Sequence, residues 1–181
     1  MLVFLSCARD DDFFMKSAGK AQEKAIEKVG PHIELFHPPS IGVEGTGSVI
    51  GNVSRIMFAD LILMDITPHK EDNGHLTYNP GVMIEFGMTF GQDLRYSDSL
   101  GKYSSVSLEK PNYKVFSNNI ISRSELPPIF NNTDIIPYSA DENGEKTLIE
   151  VMLKSIMKAV GKKLDRSPVT SNNPYNVFGM P

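Results

Sequence analysis

Leu61-Ile62-Leu63-Met64-Asp65-Ile66-Thr67-Pro68, followed by Asn79-Pro80-Gly81-Val82-Met83-Ile84-Glu85-Phe86-Gly87-Met88-Thr89-Phe90-Gly91, decides the fold. Four apolar residues in a row, without alternation, suit a central parallel strand covered on both faces. Asn79 is the N-cap of the helix that follows, and Pro80 fits its first position because it has no N–H to lose. Between Val82 and Phe90 only Glu85 and Thr89 interrupt apolar or small residues, so this helix is expected to lie largely buried. Glu85 then stands in an apolar wall, beyond the first turn where the helix dipole alone would explain an acid. Burial raises a carboxyl pKa, which is the setting of catalytic acids and nucleophiles. The plain alternative is a carboxylate that reaches solvent at the helix edge or pairs with an arginine.

Working outward, Leu2-Val3-Phe4-Leu5 reads as a buried strand that ends in Ser6-Cys7-Ala8-Arg9-Asp10. Asp10, Asp11 and Asp12 offer N-caps to a helix with Phe14, Ala18, Ala21, Ala25 and Val29 on one face, stopped by Gly30-Pro31. His32 to Phe36 is a second strand, and residues 37 to 47 are too rich in Gly and Pro to be anything but loop. Ser48 caps a helix with Val49, Val53, Ile56 and Met57 on its apolar face. In the stretch from 92 to 133, Lys102 to Leu108 and Tyr113 to Phe116 are candidate strands. Ile135-Ile136-Pro137-Tyr138 is an edge strand, and Leu148, Met152, Ile156 and Ala159 line a last helix that ends near Gly161. Alternating strands and helices predict a single α/β domain over residues 1–164, a parallel sheet of about five strands with helices on both faces, flavodoxin-like or Rossmann-like. Residues 165–181 form an aperiodic C-terminal tail.

The formal net charge of -4 over 181 residues, without a Lys/Arg block, argues against a nucleic-acid partner and for a small molecule. Cys7 is the single cysteine, which excludes an internal disulfide and fits a reducing cytoplasm. The opening residues lack a basic signal region, and no apolar run is long enough for a membrane span. His32, His37, His69 and His75 have no ligand spacing, so neither a metal nor a cofactor is expected.

In open parallel sheets, ligands bind beyond the carboxyl ends of the strands. That rule gathers Ser6 to Asp10, the Gly-rich loop, Asp65 to Thr67 and the helix start from Asn79 to Glu85. The candidate catalytic residues are Glu85 and Asp65; the candidate binding residues are Ser6, Arg9, Asp10, Gly45, Gly47, Thr67, Asn79 and Gly81. Asp65 can orient sugar hydroxyls or close an Asx-turn, and Asp10 can bind substrate or cap a helix. Gly45 and Gly47, before a helix N-terminus, can cradle phosphate, although their order matches neither the dinucleotide nor the P-loop pattern.

Residues 59 to 67 followed by Asn79 to Gly87 resemble the core of nucleoside 2-deoxyribosyltransferases and of the related deoxynucleoside 5′-monophosphate N-glycosidases. The resemblance implies that Glu85 is the nucleophile at C1′ of the sugar and that Asp65 helps hold the substrate. It also implies a homo-oligomer whose sites are completed by a neighbouring subunit, with residues 166 to 181 as donor. Two departures stand out. Asn79 replaces the Asp that protonates the base in the transferases, and Ser6 to Asp10 lacks the glycosidases' Gly-rich phosphate loop. The chain also resembles bacterial TIR domains: Val3 to Asp10 is similar to their opening strand and turn, residues 37 to 47 fall at their BB loop, and Glu85 at their NAD-cleaving Glu. Their tryptophan-cysteine signature is missing. Both resemblances imply cleavage or transfer of an N-glycosidic bond of a nucleoside, nucleotide or NAD. The alternative from another class is a non-catalytic TIR-like module for nucleotide binding or signalling.

Overall fold

A computed structural model describes residues 1–8, 11–38, 55–99, 112–118, 126–130 and 133–165. The predicted sheet is present, with five parallel strands. In spatial order they are β2 (Glu34–Phe36), β1 (Leu2–Ser6), β3 (Leu61–Asp65), β6 (Tyr113–Ser117) and β7 (Ile135–Pro137). β4 (His69–Lys70) and β5 (Leu76–Thr77) form a separate antiparallel pair. Counting only the main sheet, the order is 2-1-3-4-5, the flavodoxin-like arrangement, in which strand order reverses between β1 and β3. Phe4 pairs with Phe36 on one side and Ile62 on the other, which fixes the register across that reversal.

The apolar run of β3 reads without alternation because both faces are covered. Val3, Leu5, Leu61 and Leu63 face a layer made by α1 (Asp12–Val29) and α3 (Glu142–Asp165). Phe4, Ile62, Met64 and Val115 face the other way, against Val82 and Phe86 of α2 (Pro80–Ser99). Each such side chain taken from water contributes about 1.5–3 kcal/mol, so the two layers supply most of the drive to fold. Ala18, Ala21 and Ala25 are fully buried on α1, and their small size lets α3 lie close against them.

The chain's own end signals set the helices. Asp11 is the α1 N-cap, with Phe14 N donating to its Oδ1 at 3.0 Å. Gly30 closes that helix at φ 92°, a left-handed conformation that L side chains rarely adopt. Asn79 caps α2, accepting from Gly81 N at 2.9 Å and Val82 N at 3.3 Å.

Several expectations need correction. α2 is buried along Val82, Phe86 and Thr89 as expected, but Ile84 in its apolar run is 58 % exposed, because only one side of the helix meets the sheet. Val29 lies at the α1 end, where the helix has passed the edge of its layer, and is exposed. β2 begins at Glu34 and not at His32. The last helix runs through Gly161 to Asp165, since one glycine costs a helix only about 1 kcal/mol. The β4–β5 hairpin was not expected, although Asn73-Gly74 is a turn signal: Asn73 Oδ1 accepts from His75 N at 2.8 Å and Gly74 takes φ 83°. The candidate strand from 102 to 108 and the tail from 166 to 181 lie outside the described residues. So does most of the helix expected after Ser48, of which residues 55 to 58 are helical.

Two glycines of α3 test the packing in opposite directions. A Cβ on Gly144 would overlap the Ser139 carbonyl, whereas one on Gly161 would meet nothing within 4 Å. Urea unfolding is expected to show Gly144→Ala destabilised by about 1–3 kcal/mol. Gly161→Ala is expected to be stabilised by about 0.4–1 kcal/mol.

Candidate functional site at the carboxyl edge of the sheet

A crevice of about 680 Å³ opens beyond the ends of β1, β3 and β6, at the point where strand order reverses. Asp65, the last residue of β3, forms its floor and is 4 % exposed. Thr67 donates to its Oδ1 twice, from N at 2.9 Å and from Oγ1 at 2.6 Å, while the Tyr138 hydroxyl donates to Oδ2 at 2.8 Å. Thr67 Oγ1 in turn accepts from Asn118 N at 2.7 Å, which ties the β3 loop to the end of β6. The Asx-turn reading of Asp65 is therefore correct, and the residue lines the crevice as well.

The neighbour of Asp65 is another acid. Burial pushes the Asp65 carboxyl well above the usual carboxylate range, and the Asp11 carboxyl, lying against it, pushes it further; Thr67 and Tyr138 oppose the rise. Two carboxyls in contact cannot both ionise cheaply, which favours the neutral form of the buried Asp65. Burial and the nearby Asp65 also push up the Tyr138 hydroxyl, which stays a donor at all ordinary pH. The acid beside Asp65 is Asp11 and not Glu85, the other candidate catalytic residue.

Glu85 sits one turn further along α2 than Val82, outside the wall of this crevice, and faces the end of β1. It is partly buried. Burial raises its pKa, and the Ser6 hydroxyl beside it opposes the rise. Ser6 is itself fully buried, and its Oγ stands outside hydrogen-bond geometry to any described group. Arg55 does not supply the arginine of the plain alternative for Glu85, since its guanidinium stacks 3.8 Å over the Phe36 ring. Cys7 links the two acid clusters. Burial raises its thiol, and Asp11, Asp65 and Glu85 all add to the effect, so the thiol stays protonated and is a poor nucleophile. At the end of β2, burial lowers the pKa of His37 against the pull of the Cys7 carbonyl, so the ring is neutral near pH 7.

Of the residues singled out from sequence, Asp65, Thr67 and Asn79 line one crevice. Ser6 and Glu85 meet beside it, and Gly81 lies under the Asn79 cap, where a Cβ would come within 3.2 Å of Asn79 Oδ1. Arg9, Asp10, Gly45 and Gly47 lie outside the described residues. Sequence reasoning treated Asp11 only as a cap and did not single out Tyr138 or His37. The three consecutive acids at 10–12 were a signal for Asp11; a tyrosine after an edge strand gave none. Among the described residues, no group of three His, Cys, Asp or Glu is arranged for a metal, and no helix is long and apolar enough to cross a membrane.

No protein-family profile and no curated protein sequence matches the chain. Among solved structures it is similar to the flavodoxin-like domain of a Synechococcus protein, at 13 % identity and a TM-score of 0.48, over 91 % of this chain and 99 % of that one. It is similar to flavodoxin 2 of Bacillus cereus at 10 % identity and a TM-score of 0.47, over 87 % and 99 %. It is also similar to a 2-desoxiribosyltransferase of Leishmania mexicana at 13 % identity and a TM-score of 0.44, over 82 % and 97 %. These values describe a shared path of strands and helices, and nothing about chemistry.

The Asp11–Asp65 pair has a pH signature. A carboxyl whose folded pKa is raised favours folding fully only below its unfolded pKa, and that contribution is lost as pH rises through the folded value. Asp65→Asn keeps an acceptor for Thr67, and its amide nitrogen replaces the Oδ2 that accepts from Tyr138, so it removes the burial penalty without a cavity while giving up that one hydrogen bond. Melting curves are expected to show the variant gaining on the wild type between pH 5 and pH 8, with the smaller difference at pH 5.

Proposed function

We propose that the chain cleaves or transfers an N-glycosidic bond of a nucleoside, nucleotide or NAD, with Glu85 meeting the anomeric carbon. The observation that carries this reading is Glu85 itself: a partly buried carboxyl with a raised pKa, without an ion pair among the described residues, beside the buried and unpartnered Ser6 hydroxyl. An acid in that position adds a desolvation cost to the fold, and chemistry is what such a cost commonly serves. The deprotonated form attacks. An oxocarbenium-like transition state is stabilised by a carboxylate at close range, and a covalent ester divides a difficult displacement into two easier ones. A sugar seated over the end of β1 would have Glu85 on one side and the Asp65 crevice on the other.

The leaving base is the weak point of this machinery. Asn79 occupies the place of the acid that would protonate it, and its Oδ1 is engaged in capping α2. An amide does not titrate, so departure of a neutral base is expected to be slow.

Incubation of the purified chain with NAD and a panel of nucleosides and nucleotides, with chromatography of the free base, tests the reading. Glu85→Gln keeps size and hydrogen bonding, so it should fold and hold ligand while losing base release on the order of 10³-fold or more. An active Glu85→Gln protein would sink the assignment. Wild-type protein that binds a nucleotide and never releases base would favour the non-catalytic module. Asn79→Asp keeps the cap and adds a titrating proton; faster release of a neutral purine or pyrimidine, by about 10²-fold or more, is the expected result. No gain with any neutral nucleoside would leave capping as its role.

A further inference from the structure

Ser6 is the last residue of β1 and the first polar position of its run. Side chains alternate across a strand, so Ser6 shares the face of Phe4, which α2 covers through Val82 and Phe86. Glu85 lies one turn after Val82 and one turn before Thr89, at the margin of the buried side of α2, and its carboxyl comes to the end of β1. The thiol of Cys7, next in the chain, feels that carboxyl as well. Thr89 Oγ1 donates to the Glu85 carbonyl at 2.9 Å and fixes the backbone beneath it. The side chain is thus the part of Glu85 that can still turn. Beside it stands a hydroxyl that is fully buried and, among the described residues, in hydrogen-bond geometry to nothing. A hydroxyl left so costs the fold free energy that an alanine would not.

We propose that Ser6 is the positioning residue of Glu85: its hydroxyl donates to one oxygen of the ionised carboxylate and leaves the other turned toward the anomeric carbon. The contact can be tested without any chemistry, whereas its catalytic use rests on the N-glycosidic reading of the same site. A carboxylate accepts more strongly than a neutral carboxyl, so the bond favours the charged form against the burial that opposes it. The other titratable groups at this edge do not do this. Cys7 stays a neutral thiol and His37 a neutral ring near pH 7, while Asp65, with Asp11, follows Leu61 and Leu63 onto the opposite face of the sheet. Burial and the Ser6 hydroxyl are the influences that set the Glu85 carboxyl.

Carbon-13 NMR of protein labelled at its glutamate carboxyl carbons follows the titration of Glu85, with Glu85→Gln identifying the resonance. Ser6→Ala is expected to move that titration up by about one pH unit, the worth of one hydrogen bond to a charged group. The acid limb of the pH profile of base release should move with it, so that release falls about tenfold on the acid side of the wild-type midpoint. A serine of merely structural use would leave both midpoints in place. Ser6→Cys keeps the size with a weaker donor and should shift both midpoints the same way by less; it decides the matter alone if thermal melts show Ser6→Ala unfolded. A Glu85 titration unmoved in the folded variants, or moved down, would overturn the inference and leave Glu85 as the nucleophile. The expected shift in a wild-type background that releases no base from NAD or any nucleoside would establish the contact and remove the glycosidic reading.

Discussion

The buried carboxyl of Asp65 is the point on which the working edge of this sheet depends. Through Thr67 it shapes the loop after β3, and through Thr67 Oγ1 it reaches the end of β6. Through Tyr138 it holds the residue just past β7, and through Asp11 it meets the first residue before α1. Four separate segments therefore converge on one side chain. Such a node is costly, since a buried acid loses its hydration and here also faces a second acid. Three donated hydrogen bonds offset that cost, and they fix a geometry that apolar packing alone would leave loose.

What permits the node is the sandwich beneath it. β1 and β3 alternate their side chains between two apolar layers, so the strands are rigid up to their last residue. Ser6 and Asp65 are the first polar positions along those runs, and both remain buried. At the same edge, α1 and α2 begin under their own caps, Asp11 and Asn79. Asp11 caps with Oδ1 and meets Asp65 in the same stroke, so a local signal for a helix start also builds a wall of the crevice.

Much of this was legible in the chain because local signals agreed with the global arrangement. The run Leu61 to Met64 suited a doubly covered strand, Asn79-Pro80 suited a helix start, and the alternation of elements then pointed to a parallel sheet with Asp65 at the carboxyl end of its central strand. Pairing was less legible. That Asp65 would meet Asp11 and Tyr138 follows from how α1 and the segment after β7 converge, which no spacing in the sequence reports. Periodicity said less about α2: its nearly unbroken apolar run suggested a largely buried helix, and the side at Val82, Phe86 and Thr89 does meet the sheet, while Ile84 faces outward. The β4–β5 hairpin escaped because two-residue strands carry no alternation to read.

The acids of this edge fall into two environments, and the difference separates their chemistry. Asp65 is surrounded by donors and a second carboxyl, so it is held and already committed. Glu85 has burial and one hydroxyl beside it, and no committed partner among the described residues. A structural acid is recognised by its satisfied hydrogen bonds, and a reactive one by their scarcity. On that criterion the Asp11–Asp65 pair belongs to the scaffold and to the charge of the crevice. In the proposed reaction, Glu85 is the group left free to act. Cys7, between them, feels all three carboxyls and stays a neutral thiol, which keeps a competing nucleophile out of the same space.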